Sequence, residues 1–218
     1  MSDPQKKQKL MSRLTVLGFG FMIAVAVSYF INAPESTSVT KQVEMPRAFE
    51  RQFSNVVTKR RAEDIVQTVF ADPEKTPVSW NNFNGEYLLV NFWATWCGPC
   101  VVELPSIERL ANEFEGKGMK VIAVSVDFQR SHDEVKEFLL NRGIGEFAAY
   151  FDQNKDIQNK IAMRGIPTTF LLSPEGKLLY IFEGDAKWHS PPAIQFFNNL
   201  LTAEADQQNI QENQSDNS

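Results

Sequence analysis

The stretch Val90–Cys100, "VNFWATWCGPC", contains both cysteines of the 218-residue chain, Cys97 and Cys100. It runs from an apolar segment typical of a buried strand into a segment that predicts a helix from Gly98. Two cysteines this close together fit three kinds of site: a structural disulfide, a metal centre or a reactive redox pair. The neighbouring residues and the rest of the chain distinguish between them.

A metal centre and a structural disulfide are both disfavoured. Structural zinc sites and iron–sulfur clusters take four protein ligands, and the cysteines supply two. The only histidines, His132 and His189, lie far along the chain, so we predict no metal site. A disulfide that closes so short a loop adds little stability, because the stabilisation grows with loop length.

A reactive pair has a physical mechanism. Cys97 lies at the junction of the predicted strand and helix, where free N–H groups and the helix dipole stabilise a thiolate. The thiolate is the attacking species in disulfide exchange. Cys100 follows one turn later, within reach of the first sulfur, and Pro99 fits the first turn because it lacks an N–H. We predict that Cys97 attacks a partner's disulfide and that Cys100 resolves the mixed disulfide.

The N-terminal segment predicts a membrane anchor. Residues 1–13 are basic, and the following residues 14–31 carry no charge and are long enough to cross a bilayer as a helix. The positive-inside rule places residues 1–13 in the cytoplasm and the rest of the chain outside, in an oxidising compartment. A cleaved signal peptide is the alternative, but Pro34 would then lie just after the cleavage site, where a proline is unfavourable.

The remainder of the chain divides into three parts. We predict a linker over residues 32–66, within which 48–66 form either one amphipathic helix or more linker. Residues 67–203 alternate strand and helix patterns and end in a hairpin and a helix, which predicts an α/β sandwich with a mixed sheet. Residues 204–218 form an acidic tail that we expect to be disordered. The net charge of -5 and the lack of a basic stripe argue against nucleic acid as a partner.

The local patterns predict individual elements within residues 67–203. They predict strands over 87–93, 119–127 and 147–152, helices over 98–114, 131–143, 154–162 and 190–203, and a hairpin over 168–182.

Three motifs together resemble one family. "FWATWCGPC", then "VIAVSVD" and "RGIPTTFLLSPEGKLL", follow the pattern of the membrane-anchored thiol–disulfide oxidoreductases of the TlpA/ResA (DsbE/CcmG-like) family. The likeness covers residues 67–202. It implies a thioredoxin-like three-layer sandwich with a mixed central sheet, preceded by one transmembrane helix. The implied location is the bacterial cytoplasmic membrane, with the catalytic domain in the periplasm or extracytoplasmic space.

The resemblance also implies a substrate-binding surface around the cysteines. Pro167 is expected to be cis and to lie against the disulfide, and the backbone of Ile166 is expected to bind an extended substrate segment. Trp96, Gly98 and Pro99 are expected to complete this surface. Trp93 is expected in the core.

A proton-exchanging group is implied at Glu103, one turn after Cys100. A partly buried carboxyl group with a raised pKa would exchange a proton with Cys100. The alternative is a first-turn glutamate that only complements the helix dipole. Many thioredoxins carry a buried Asp where this chain has Asn91, and an amide cannot serve that proton route. Trp188 and His189 are assigned no chemistry, and His132 is expected to be exposed.

The implied function is reduction of client disulfides in apocytochrome c or in copper-site assembly proteins for cytochrome oxidase. Electrons would come from a membrane thiol carrier of the DsbD/CcdA type. The only redox group would be the Cys97–Cys100 disulfide, with no further cofactor. The alternatives are a thiol oxidase or isomerase of secreted proteins, and a non-catalytic thioredoxin-like interaction module.

Overall fold

A single mixed sheet organises the part of the chain that the computed structural model describes, which is residues 43–65, 67–152, 154–161 and 163–215. Its strands run in the order β1-β8-β7-β4-β5-β6-β2-β3. The strands are β1 (Asn55–Asp64), β2 (Phe70–Ala71), β3 (Pro77–Val78), β4 (Tyr87–Trp93), β5 (Met119–Ser125), β6 (Tyr150–Phe151), β7 (Thr168–Leu172) and β8 (Lys177–Glu183). The helices are α1 (Arg47–Glu50), α2 (Gly98–Phe114), α3 (His132–Leu140), α4 (Asp156–Lys160) and α5 (Pro191–Ser215), with 3₁₀ turns at Trp80–Phe83 and Glu146–Ala148.

The central strand β4 presents the cysteine segment. Every residue of β4 is buried, as expected for an apolar strand paired on both sides. It pairs in parallel with β5 and antiparallel with β7. The helix α2 forms the crossover to β5, so the start of α2 lies at the carboxyl end of β4. The predicted α/β fold with a mixed sheet is confirmed.

Local capping and turn signals are confirmed by the structure. Ser131 and Glu134 form the predicted capping box at the start of α3, in which the Ser131 N–H donates to Glu134 Oε2 at 2.7 Å. Strands β7 and β8 form the predicted hairpin. Its turn requires glycine at Gly176, whose φ is +73°. The final helix begins with two prolines, as predicted.

The prediction of a linker or a long helix over residues 48–66 is wrong. The structure has only the short helix α1 there, followed by strand β1, which pairs antiparallel with β8. The β-branched Val56 and Val57 lie opposite Phe182 and Ile181, so they extend the sheet at the edge that β8 would otherwise leave open. The sheet therefore begins before residue 67.

Three further expectations are corrected. The acidic tail is helical as far as Ser215, because its glutamates, glutamines and single alanine are good helix formers that prolong α5. The strand predicted over 147–152 is reduced to Tyr150–Phe151 by a preceding 3₁₀ turn. His132 is buried rather than exposed, and its ring stacks on Phe151.

The predicted anchor over residues 14–31 and the basic segment 1–13 lie outside the described residues. Within the described ranges, no helix combines the length and apolar character that crossing a membrane requires.

Candidate active site

The two cysteines form a disulfide at the start of α2. Cys97 is the N-cap residue of the helix, and its Cα lies 5.3 Å from that of Cys100. The N–H of Cys100 points at Cys97 Sγ, with a nitrogen–sulfur distance of 3.4 Å. Cys97 retains 6% of its surface, whereas Cys100 has none exposed. Cys97 is therefore the more accessible of the two sulfurs, and in the reduced state the helix N-terminus would stabilise a thiolate at this position.

The loop before β7 places Pro167 and Ile166 beside the disulfide. The Ile166–Pro167 peptide bond is cis, as expected from the family pattern. The carbonyl oxygen of Ile166 lies 3.9 Å from Cys97 Sγ. Pro167 is buried and Ile166 is partly exposed. The structure thus brings these two residues to the more accessible of the two sulfurs.

The exposed rim of the site is aromatic. Trp96 is 50% exposed, and its ring centroid lies 5.6 Å from that of Phe128, which is 55% exposed. Phe128 follows β5 and was not identified from the sequence. Gly98 and Pro99 are exposed at the first turn of α2. Exposed large aromatic side chains beside a reactive sulfur form a surface suited to contact a polypeptide.

Glu103 lies on α2, one turn beyond Cys100. Its side chain is buried and accepts three hydrogen bonds. Asn91 Nδ2 donates to Oε1 at 2.8 Å, whereas the Ala186 N–H, at 3.0 Å, and Trp188 Nε1, at 2.8 Å, both donate to Oε2. Asn91 also donates to Thr169 Oγ1 at 2.9 Å, so the amide ties β4 to β7 at the site.

Burial controls the protonation of Glu103. Removal of the carboxylate from water raises its pKa from 4.5 to about 7, and the like charge of Asp185 acts in the same direction. The hydrogen bonds from Ala186, Trp188 and Asn91 oppose this shift. A carboxyl group with a pKa near neutrality can both accept and donate a proton at physiological pH. The burial and the raised pKa of Glu103 are consistent with the predicted proton exchange, which stays a prediction.

A second buried carboxylate, Asp127, supports the turn that precedes Cys97. It accepts hydrogen bonds from the Thr95 N–H and hydroxyl, both at 2.8 Å, and from the Ser125 hydroxyl at 2.9 Å. These bonds connect the end of β5 to the loop between β4 and α2. Asp127 therefore fixes the backbone that positions Cys97.

Two contacts of Glu103, the Trp188 indole and the backbone N–H of Ala186, were not identified from the sequence. Both belong to the loop between β8 and α5, more than eighty residues from Glu103 along the chain. A buried carboxylate needs donors, but no local pattern indicates which distant loop supplies them. Among the described residues, no group of three or more His, Cys, Asp or Glu side chains is arranged to hold a metal ion.

The fold and the disulfide at a helix N-terminus define a thioredoxin-like redox domain. The model of the AhpC/TSA family matches residues 59–181, which is more than half of the chain. The chain belongs to the AhpC/TSA family.

Individual relatives specify the class further. The thiol-disulfide oxidoreductase ResA of Oceanobacillus iheyensis is 28% identical over 123 residues, which cover 55% of this chain but only 60% of that protein. ResA of Halalkalibacterium halodurans is 24% identical over 200 residues, or 92% of this chain and 99% of that protein. These relatives confirm the resemblance to ResA and the enzyme class, a thiol–disulfide oxidoreductase.

A solved structure supports the fold. The crystal structure of a Chlorobium tepidum protein described as a thiol:disulfide interchange protein DsbE matches with a TM-score of 0.56 and 24% identity. The match covers 65% of this chain and 97% of that chain.

Proposed function

We propose that the chain is a reductase of disulfides in client proteins outside the cytoplasmic membrane. The observation that carries this proposal is the asymmetry of the Cys97–Cys100 disulfide. Cys97 is the more accessible sulfur at a helix N-terminus, and one turn beyond Cys100 lies Glu103, whose pKa is raised to about 7.

The first step is attack by the reduced enzyme. The Cys97 thiolate attacks one sulfur of a client disulfide, which forms a mixed disulfide and releases the other client sulfur as a thiolate. The helix N-terminus stabilises the thiolate before the attack. The partly exposed Ile166 backbone and the Trp96 ring hold the client segment beside Cys97.

The second step is resolution. The Cys100 thiol transfers its proton to the Glu103 carboxylate and becomes a thiolate. This thiolate attacks Cys97 Sγ, the Cys97–Cys100 disulfide forms, and the second client sulfur leaves as a thiolate. Two electrons pass from the enzyme to the client. Because Cys100 is buried, a nearby base is needed to make the thiolate form accessible at neutral pH.

The family resemblance guides the choice of clients and electron donor. We propose clients of the apocytochrome c or copper-site assembly class, and a membrane thiol carrier of the DsbD/CcdA type that restores the dithiol. The apolar segment over residues 14–31 would anchor the enzyme beside that carrier. The surroundings oxidise thiols, so a dithiol maintained there by a donor is suited to reduction rather than oxidation.

The redox state of Cys97 and Cys100 in intact cells tests the proposed direction. Cells would be quenched with acid, free thiols alkylated with a heavy maleimide, and the protein separated by gel electrophoresis. We expect mostly doubly alkylated protein. The Cys97→Ser/Cys100→Ser double variant is the matched control and should show no shift, because the chain contains only these two cysteines. A mostly oxidised pair would contradict the reductase proposal and favour an oxidase.

A further inference from the structure

Trp188 is a buried residue whose side chain contacts Glu103. It has no exposed surface and lies in the loop that joins β8 to α5. Its indole N–H donates to Glu103 Oε2 at 2.8 Å, and its backbone N–H donates to Ser106 Oγ at 3.2 Å. Both bonds lead to α2, the helix that carries Cys100.

Aromatic rings from two other elements fix the indole. Its ring centroid lies 5.7 Å from Phe49, 5.3 Å from Phe53 and 5.6 Å from Phe182. The rings of Phe49 and Phe182 meet it nearly edge to face, at interplanar angles of 77° and 87°. Close-packed rings leave little freedom for rotation, so the indole N–H remains directed at Glu103. The segment before β1, which supplies Phe49 and Phe53, thereby helps to hold the Trp188 indole against Glu103.

The two oxygens of Glu103 are not equivalent. Oε2 already accepts the N–H groups of Trp188 and Ala186, whereas Oε1 has the single donor Asn91 Nδ2. A protonated oxygen becomes a donor and loses acceptor capacity. The oxygen with two donors is therefore the worse place for a proton.

We propose that Trp188 is a positioning residue for the proton exchange of Glu103. Its indole N–H keeps Oε2 as a hydrogen-bond acceptor, so that Glu103 takes up the proton on Oε1. This inference rests on the proposed function for its catalytic meaning, but its geometry can be tested without a client. Removal of the indole N–H takes away a bond that favours the carboxylate, so the carboxyl group will titrate at higher pH.

The charged surroundings of Glu103 allow its titration to be isolated. Asp185, in the same loop as Trp188, is the charged side chain that acts on it, and its negative charge also raises the pKa. Asn91 contacts it from β4, and Thr169 on β7 accepts a hydrogen bond from Asn91; neither side chain titrates. The two cysteines at the start of α2 form the disulfide and do not titrate in the oxidised protein. The oxidised protein is therefore the right sample.

The main test is titration of the Glu103 carboxyl carbon by NMR in the oxidised full-length chain. Trp188→Phe keeps an aromatic ring and removes the N–H. We expect its Glu103 midpoint to rise by about 1 pH unit, the usual weight of one hydrogen bond to a charged group. Trp93→Phe is the matched control, because Trp93 is also fully buried but donates to the Ala148 carbonyl at 3.2 Å. Its midpoint should equal that of the wild type.

A second measurement needs no variant. In the oxidised wild type, the Trp188 indole N–H resonance should titrate with the same midpoint as the Glu103 carboxyl group, whereas the Trp93 indole resonance should not follow it. An unchanged or lowered midpoint in Trp188→Phe, or a Trp188 indole resonance that ignores Glu103, would overturn the inference. If the Trp188 variant does not fold, the wild-type titration decides. Absence of reductase activity would contradict the proposed function, whereas the two titrations would still test the contact between Trp188 and Glu103.

Discussion

The two sides of the Cys97–Cys100 disulfide are built from opposite kinds of surface. The Cys97 side is a rim of exposed aromatic rings, Trp96 and Phe128, beside the partly exposed Ile166. Cys100 is fully buried, and one turn further along α2 the buried Glu103 accepts hydrogen bonds on both of its carboxylate oxygens. Under the proposed function, Cys97 meets the client polypeptide and Cys100 exchanges its proton with Glu103.

The comparison shows that the two sulfurs have different surroundings before any client binds. Trp96 and Phe128 remain in water, where apolar surface favours contact with a client. Glu103 is out of water, where burial holds its pKa near 7 and makes proton exchange possible. The two cysteines thus have different environments although they lie in the same helical turn, and the proposed function assigns attack to Cys97 and resolution to Cys100.

The largest expected effect comes from exchanging the two sulfurs for oxygen. Cys97→Ser removes the attacking thiolate, so reduction of insulin by dithiothreitol should fall to the uncatalysed rate. Cys100→Ser keeps the attacking thiolate but cannot resolve the mixed disulfide, so the enzyme should accumulate as a covalent adduct with its client. Non-reducing gel electrophoresis would detect this adduct.

The contrast between the variants is the control for this experiment. An adduct with Cys97→Ser and none with Cys100→Ser would reverse the assignment of the two sides. Full insulin reduction by Cys97→Ser would instead favour the non-catalytic interaction module, for which the cysteines are dispensable.

The features of the site that depend on neighbouring residues in the chain could be predicted from the sequence. The spacing of Cys97 and Cys100, the proline in the first turn and the strand before them follow from local patterns of a few residues. Helical spacing places Glu103 one turn beyond Cys100, but its proton-exchanging role was implied by the family resemblance. Resemblance to a family supplied Pro167, which local propensity does not bring to the disulfide.

Long-range parts could not be predicted. The Trp188 donor belongs to a loop 85 residues beyond Glu103, and only the completed sheet brings the two together. Strand β1 was mistaken for linker or helix because Phe49, Phe53 and Val56 fit a helical stripe, and pairing with β8 overrides that pattern. In both cases tertiary contacts decide the outcome, and a single sequence does not display them.

An intermediate effect is expected in the pH dependence of stability. Glu103 has a pKa of about 7 in the folded chain and about 4.5 when exposed, so the folded state keeps its proton between these values while the unfolded state loses it. The stabilisation by this proton is complete below pH 4.5 and is lost as the pH rises through 7. We expect the free energy of unfolding of the wild type to fall by about 3 kcal/mol more than that of Glu103→Gln over this range.

Denaturant unfolding of the oxidised proteins at pH 4.5 and pH 7.5 would measure this difference. Glu113→Gln is the matched control, since it makes the same change on the same helix at an exposed side chain. Its pH dependence should follow that of the wild type. Parallel curves for wild type and Glu103→Gln would mean that burial does not raise the pKa of Glu103, and the proposed proton acceptor would lose its basis.

The smallest expected effect concerns the exposed rim. Trp96→Ala removes the ring that lies next to Cys97 and contacts Phe128, so the KM for a protein client should rise about fivefold while kcat changes little. Stability should change by less than about 0.5 kcal/mol, because half of the Trp96 surface is already in water. Leu140→Ala, at an exposed apolar position at the end of α3, should leave KM unchanged. A fall in kcat without a rise in KM would mean that Trp96 acts in the chemical step rather than in client binding. The proposed division between a client-binding side and a proton-exchanging side would then be contradicted.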